Sequence, residues 1–308
     1  MLTRKDLMGP WAGFPVAWNS RQMFDEDKYR EDLARTCAAG VPGIYTAGSA
    51  GEFFAMEFDE WQRISRVTVD ICKQYNTPVM IGVTSTYTLG AERRAAYASE
   101  IGASAIQVAL PYWHPLTDEE LLPFFKSVSD ACPGLAMTLY ETECSKRTLS
   151  LEQHRMIHDI TGSYLAVKAT VNTIGLTEAG CRQLSEFINV WVGEHELSRL
   201  GPDGANGCAS SLVYMNPRLM LHMFELLEQK KWDELQPWTN QIRKLFIEGL
   251  APYFAKGLND ASVVRLMGIA SGFLGMEIHS RQPYTSASME DAVELRAWME
   301  QHTPELLL

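Results

Sequence analysis

Eight short apolar runs, each followed by a stretch with helical periodicity, constrain this chain more than any other feature. They cover roughly Trp11–Trp18, Gly43–Gly48, Pro78–Thr84, Ala105–Tyr112, Ala136–Thr142, Tyr164–Thr170, Ile188–Glu194 and Cys208–Tyr214. Most are near-continuously apolar, as strands of a parallel sheet buried on both faces must be. The segments between them read as amphipathic helices. Asp25–Ala39 puts Tyr29, Leu33 and Cys37 on one face, and Asp59–Tyr75 does the same with Trp61, Ile64, Val67 and Ile71. Thr117 ahead of Asp118, Glu119 and Glu120 is a capped helix start. Eight β-α units in series predict an α/β fold, a (β/α)₈ TIM barrel over residues 1–230.

Beyond about residue 230 the strand pattern stops. Trp232–Leu250, Asp260–Ser271 and Met289–Gln301 read as helices, so residues 231–308 are expected to form a C-terminal helical extension. A doubly wound sheet is the competing architecture, but its phosphate-binding loop is missing. The nearest candidate, Gly201 to Gly207, has the wrong spacing and precedes a strand instead of a helix, so it reads as a turn.

Composition removes several function classes. The formal net charge is −11, and a nucleic-acid duplex or an anionic bilayer would repel such a surface. Neither is expected as a partner, and no apolar run is long enough to span a bilayer. The six cysteines are scattered with no Cys-x-x-Cys pair, which suits a reducing cytoplasm and indicates no zinc site. His154 and His158 are four apart on an expected helix, but lack the acidic partner of a metalloprotease motif and any third ligand. They read as surface histidines, and no metal is expected. Cys144 has no base beside it that would mark it as a nucleophile.

In a barrel the chemistry lies at the C-terminal strand ends. Lys168 stands out there, alone in the apolar run Tyr164 to Thr170. A buried ammonium is costly, burial favours the neutral amine, and a neutral amine is a nucleophile suited to Schiff-base formation. The other reading is a strand-end lysine reaching into water. The same mouth should receive Gly48-Ser49-Ala50-Gly51-Glu52 after run two, Pro111 to Pro115 after run four, Tyr140 to Glu143 after run five, Glu194 and His195 after run seven, and Ser210 from run eight. Two glycines around a small hydroxyl residue let backbone N–H groups approach an anion, such as a carboxylate beside an imine. A phenol near an amine, as at Tyr140, can move protons during imine steps, or simply pack in the barrel.

These residues, in this order and over nearly the whole chain, resemble the dihydrodipicolinate synthase / N-acetylneuraminate lyase family of class I aldolases. The family turn G-S/T-S/T-G-E appears as Gly48 to Glu52. Its lysine strand appears as Ala166-Val167-Lys168-Ala169, its tyrosine as Tyr140, and its P-Y-Y segment as Pro111-Tyr112-Trp113. The resemblance implies a Schiff base between Lys168 and a 2-oxo acid, with no separate cofactor. It implies proton relay by Tyr140 joined by the Ser49 hydroxyl, and carboxylate binding by the Ser49 and Ala50 amides. It also implies a homo-oligomer, a tetramer or dimer, with Tyr112 and Trp113 at a subunit or site edge. Gly48, Gly51, Glu141, Glu143, Glu194 and Ser210 complete the expected substrate-binding set.

The departures matter as much. Ala50 lacks a hydroxyl, Trp113 replaces a tyrosine, Ala169 replaces an acid, and Lys146 and Arg147 come late for a second-carboxylate site. They point away from a lysine-biosynthesis synthase. The expected activity is aldol cleavage of a 2-oxo acid. The same imine would also serve a dehydratase or deaminase of a sugar-derived or hydroxyproline-derived 2-oxo acid, and a non-catalytic 2-oxo acid binder is the reading from another class. Acids at 141, 143 and 194 would repel an anionic tail, so a polyhydroxylated or nitrogen-bearing substrate is expected over a dicarboxylate.

Overall fold

A computed structural model describes residues 1–308. Eight parallel strands close into a barrel in chain order: β1 (Gly9–Gly13), β2 (Ile44–Thr46), β3 (Val79–Gly82), β4 (Ala105–Val108), β5 (Ala136–Tyr140), β6 (Tyr164–Lys168), β7 (Asn189–Trp191) and β8 (Ala205–Ser210). The helices between them are α1 (Glu26–Ala38), α2 (Phe58–Gln74), α3 (Thr88–Glu100), α4 (Asp118–Asp130), α5 (Leu151–Thr161), α6 (Glu178–Ser185) and the short α7 (Leu197–Leu200). The start signals work as the residue types dictate: Asp25 accepts from the Lys28 N–H to cap α1, and Thr117 and Glu120 close a capping box on α4.

The strands are shorter than the apolar runs, almost always at the C-terminal end. Val83, Ala109 and Leu110 stay buried after their strands have ended, because the loops at that end dip into the barrel mouth instead of leaving it. Apolar patterning reports burial, not pairing, so it overran each strand by a few residues. At the N-terminal end β1 and β8 start before their runs, at Gly9 and Ala205, so only Gly201–Asp203 and Gly204 form the expected turn.

Strand alternation divides the interior into two cores. Ile44, Val167, Val190 and their like face outward to the helices in one large layer. Trp11, Tyr45, Met80, Ala105, Ala136, Ala166 and Trp191 face inward and fill the barrel. Two indoles in so narrow a space need a neighbour without a side chain: a Cβ at Gly43 would lie 2.4 Å from the Trp11 ring. The N-terminal segment closes the floor, where the Leu7 carbonyl accepts from Trp191 Nε1 at 2.9 Å.

The C-terminal helices are α8 (Pro217–Glu228), α9 (Trp232–Lys244), α10 (Ala251–Ala255), α11 (Asp260–Ala270) and α12 (Met289–His302), with a π-turn over Leu245–Gly249 after α9. Pro252 at the start of α10 has no N–H to continue the preceding turn. Here α10 and α11 turn back over the barrel mouth. The lock is a fully buried ion pair: Arg265 on α11 meets Glu52 at 2.5 Å, and Trp18 Nε1 donates to the same carboxylate at 2.6 Å. The glutamate closing the Gly48 to Glu52 turn thus fastens the extension to the barrel.

Candidate active site

Inward alternation on β5 and β6 sets the centre. Tyr140 and Lys168 are register partners on adjacent strands, so both side chains rise from the barrel floor toward the mouth. Lys168 Nζ lies 4.1 Å from the centroid of the Tyr140 ring. The close neighbour of the amine is therefore an aromatic face and not a carboxylate.

Lys168 and Tyr140 line a chamber of about 220 Å³ together with Ser49, Ala50, Glu194, His195 and Ser210. The Ser49, Ala50 and Gly51 amides form no internal backbone hydrogen bond, whereas Glu52 N–H donates to Ser49 O and Phe53 N–H to Gly48 O. The turn can be this tight only with glycines: a Cβ at Gly48 would fall 1.8 Å from Tyr45 Oη, and one at Gly51 would fall 2.7 Å from the Ala47 nitrogen. Glu194 is buried, and its Oε1 accepts from the Ser211 N–H at 3.1 Å. Ser210 is fully buried, and its Oγ accepts from the Leu212 N–H. His195 Nδ1 is buried without a partner, while Nε2 lies 3.5 Å from Glu196.

A second chamber of about 490 Å³ adjoins the first and shares Tyr45, Ser49, Tyr140, Phe254 and Asp260 with it. Tyr112 lines this one, as do Phe53, Phe54 and Tyr284. Trp113 stands outside at 71% exposure, with its carbonyl accepting from Lys146 Nζ.

Two of the expected acids do not reach either chamber. Glu141 follows Tyr140 on the strand and so points through the barrel wall. It is buried, with Oε1 accepting from the Leu149 N–H at 2.9 Å and Oε2 facing His154 Nε2 at 3.3 Å. Glu143 is exposed at the rim and accepts from Asn172 Nδ2. The substrate-binding roles expected for Glu141 and Glu143 are therefore withdrawn: period-2 alternation excludes the first, and the loop's 3₁₀ turn carries the second outward. Lys146 and Arg147 are also occupied elsewhere, on the Trp113 carbonyl and on Leu116 and Asp118.

His154 is a further correction. It is not on the surface but fully buried, with Nδ1 2.8 Å from Tyr164 Oη. His158 is half-buried, with Nδ1 2.9 Å from the Tyr164 carbonyl. Four-residue spacing put both on the inner face of α5. No cluster of three or more potential metal ligands occurs anywhere in the fold. Cys144 is exposed at the edge of the larger chamber.

Sequence reasoning missed Tyr45, Phe254 and Asp260. Tyr45 was findable, since alternation from outward-facing Ile44 turns it into the barrel. Burial and the neighbouring Tyr140 push its phenol well up, so Tyr45 stays protonated at the junction of the chambers. Phe254 and Asp260 come from the extension, and no local pattern announces that those helices roof a site built on the barrel strands far upstream.

The chain matches the Dihydrodipicolinate synthetase family over residues 9–302. It is 29% identical over 206 residues to a 4-hydroxy-tetrahydrodipicolinate synthase of Afipia carboxidovorans, covering 63% of this chain and 66% of that protein. It is 26% identical over 160 residues to an N-acetylneuraminate lyase of Enterobacter sp. strain 638, covering 51% and 53%. These alignments thus span less than two thirds of those relatives' lengths. Among solved structures, the E. coli K12 prophage protein YagE, of the dihydrodipicolinic acid synthase family and in complex with pyruvate, superposes with a TM-score of 0.83 at 18% identity. That superposition covers 96% of this chain and 98% of the other, and it bears on the fold.

Proposed function

The chain belongs to the dihydrodipicolinate synthetase family, and from that premise we propose that it is a class I lyase of the aldolase type, acting on a 2-oxo acid through an imine at Lys168. One observation carries the reading: Lys168 Nζ stands over the Tyr140 ring in a chamber whose wall includes the open Ser49 and Ala50 amides. An amine, a phenol and an anion-binding turn in one chamber are the groups that imine chemistry on a 2-oxo acid needs.

The steps follow from those groups. The substrate carboxylate docks on the Ser49 and Ala50 amides, which places C2 against Lys168 Nζ. The amine adds to C2, water leaves, and the protonated imine draws electrons from the C3–C4 bond. That bond breaks, its electron pair forms the enamine, and the 4-hydroxyl proton leaves through Tyr140 as the aldehyde departs. The enamine is then protonated at C3, and water hydrolyses the imine to pyruvate and free Lys168. Glu194, within the same chamber, stands ready to accept a proton or a substrate hydroxyl. The same imine can expel water or ammonia from the substrate in place of an aldehyde, so dehydration and deamination use the same first half of the mechanism. No cofactor takes part. Exposed Trp113 beside the mouth suits contact with a second copy of the chain, a homo-oligomer that sedimentation would reveal.

Enamine formation exchanges the C3 protons of pyruvate with solvent. In D₂O the protein should deuterate the pyruvate methyl group, read by NMR, and Lys168→Ala should abolish this. A protein that binds pyruvate but exchanges nothing is the non-catalytic binder, and the lyase reading then fails.

A further inference from the structure

We propose that the larger chamber holds an aromatic group on the distal carbon of the substrate, so that the chain handles 4-hydroxy-2-oxo acids bearing an aryl ring at C4. This rests on the imine reading for the reacting end and specifies the other end.

Four rings make the case. Tyr112 meets Phe53 at 6.0 Å, Phe53 meets Phe54 at 5.6 Å, and Phe54 meets Tyr284 at 4.9 Å between centroids, each pair close to edge-to-face. They form one continuous belt along the chamber wall. An aryl ring bound there gains the same edge-to-face contacts. Leu258 and Phe254 add apolar surface from the roof.

Charge points the same way. No lysine, arginine or histidine lines the chamber, and Asp260 is its one carboxylate. A second substrate carboxylate would find no cation and one like charge. A polyol would exchange water for ring faces. Size agrees: about 490 Å³ falls within the usual range for small-molecule pockets, about 300–1,000 Å³, while the Lys168 chamber at about 220 Å³ suits a three-carbon keto acid. The shared residues Ser49 and Tyr140 put the C3–C4 bond at the junction. Cleavage there leaves pyruvate on Lys168 and an aryl aldehyde in the ring-lined chamber. In net, the 4-hydroxyl proton moves to C3 and the water lost on imine formation returns on hydrolysis.

The test uses 4-phenyl-2-oxobutanoate, which lacks the hydroxyl needed for cleavage, against 2-oxoglutarate. Calorimetry should give the phenyl compound at least about tenfold tighter binding, the scale of discrimination an apolar pocket reaches. Phe53→Ala and Tyr284→Ala should each shrink that ratio. In turnover, condensation of pyruvate with benzaldehyde should exceed condensation with glyceraldehyde by a similar factor. Equal or tighter binding of 2-oxoglutarate, or a preference for glyceraldehyde, overturns the proposal. Pyruvate methyl exchange run alongside separates the two readings: exchange without aryl preference overturns this one alone, and no exchange overturns both.

Discussion

Strands β5 and β6 carry two ionisable clusters, one on each face of the barrel wall, and only one is open. On the outer face Glu141, His154 and Tyr164 are all buried, and each is held by a neighbour. Burial and nearby Glu141 push the Tyr164 phenol up, so it keeps its proton 2.8 Å from His154 Nδ1, while His154 Nε2 faces Glu141 Oε2 at 3.3 Å. On the inner face Tyr140, one residue before Glu141, and Lys168, at the far end of β6 from Tyr164, touch each other through a ring face and open onto a chamber. The outer cluster is sealed inside the fold, where Glu141 Oε2 and His154 Nε2 face only each other; the inner one opens onto a chamber. Proximity of titratable groups is thus a poor guide to chemistry, and access to a chamber is a better one.

Substitutions can break that contrast. Tyr140→Phe should lower kcat by roughly 10²–10⁴-fold, the usual worth of a positioned proton-transfer group, with little change in urea midpoint. An unchanged kcat would return Tyr140 to packing. Arg265→Met leaves the buried Glu52 carboxylate without its cation and should cost about 3–5 kcal/mol in urea unfolding. Because α11 roofs both chambers, KM should rise as well. An effect on neither would detach the extension from the site.

His154→Phe tests the outer cluster. It removes a buried acceptor and donor at once and should cost about 1–3 kcal/mol of stability, while pyruvate exchange by the folded fraction stays at wild-type rate. A loss of exchange without loss of stability would reverse the assignment of the two faces. The smallest effect belongs to Glu60, where the fork of Arg281 holds the carboxyl below its ordinary range. A depressed folded value means that the stabilisation is present above the unfolded pKa of about 4.3 and fades as pH falls through the folded one. Glu60→Gln should therefore cost about 1 kcal/mol or less at pH 7, with the gap to wild type closing in acid. A gap that widens in acid would contradict the pairing.

How much of this the chain disclosed on its own depended on whether the signal was local. Eight apolar runs and helical spacings are local, and the barrel followed from them. Lys168 was conspicuous because one cation interrupted an apolar strand, and Tyr140 because it occupied the matching end of the next strand. Glu141 was misplaced although alternation was available: with Tyr140 turned inward, its neighbour had to face the helices. His154 was misplaced because a histidine on an amphipathic helix looks alike whether its face is wet or buried. Phe254, Asp260 and the junction they form with Tyr45 arise only when α10 and α11 fold back over the mouth. The aromatic belt was invisible for the same reason, being assembled from the loops after β2 and β4 and from the extension. The expectation of a polyhydroxylated or nitrogen-bearing substrate rests on three acids, of which Glu194 alone lines a chamber.

The most direct measurement is reductive trapping. The protein is incubated with pyruvate and borohydride, and the product is read by intact mass and peptide mapping. A single irreversible pyruvate adduct on the peptide that contains Lys168, absent from Lys168→Ala, is the predicted result. An adduct on another lysine, or a Lys168→Ala protein that still forms one and turns over, contradicts the account at its centre.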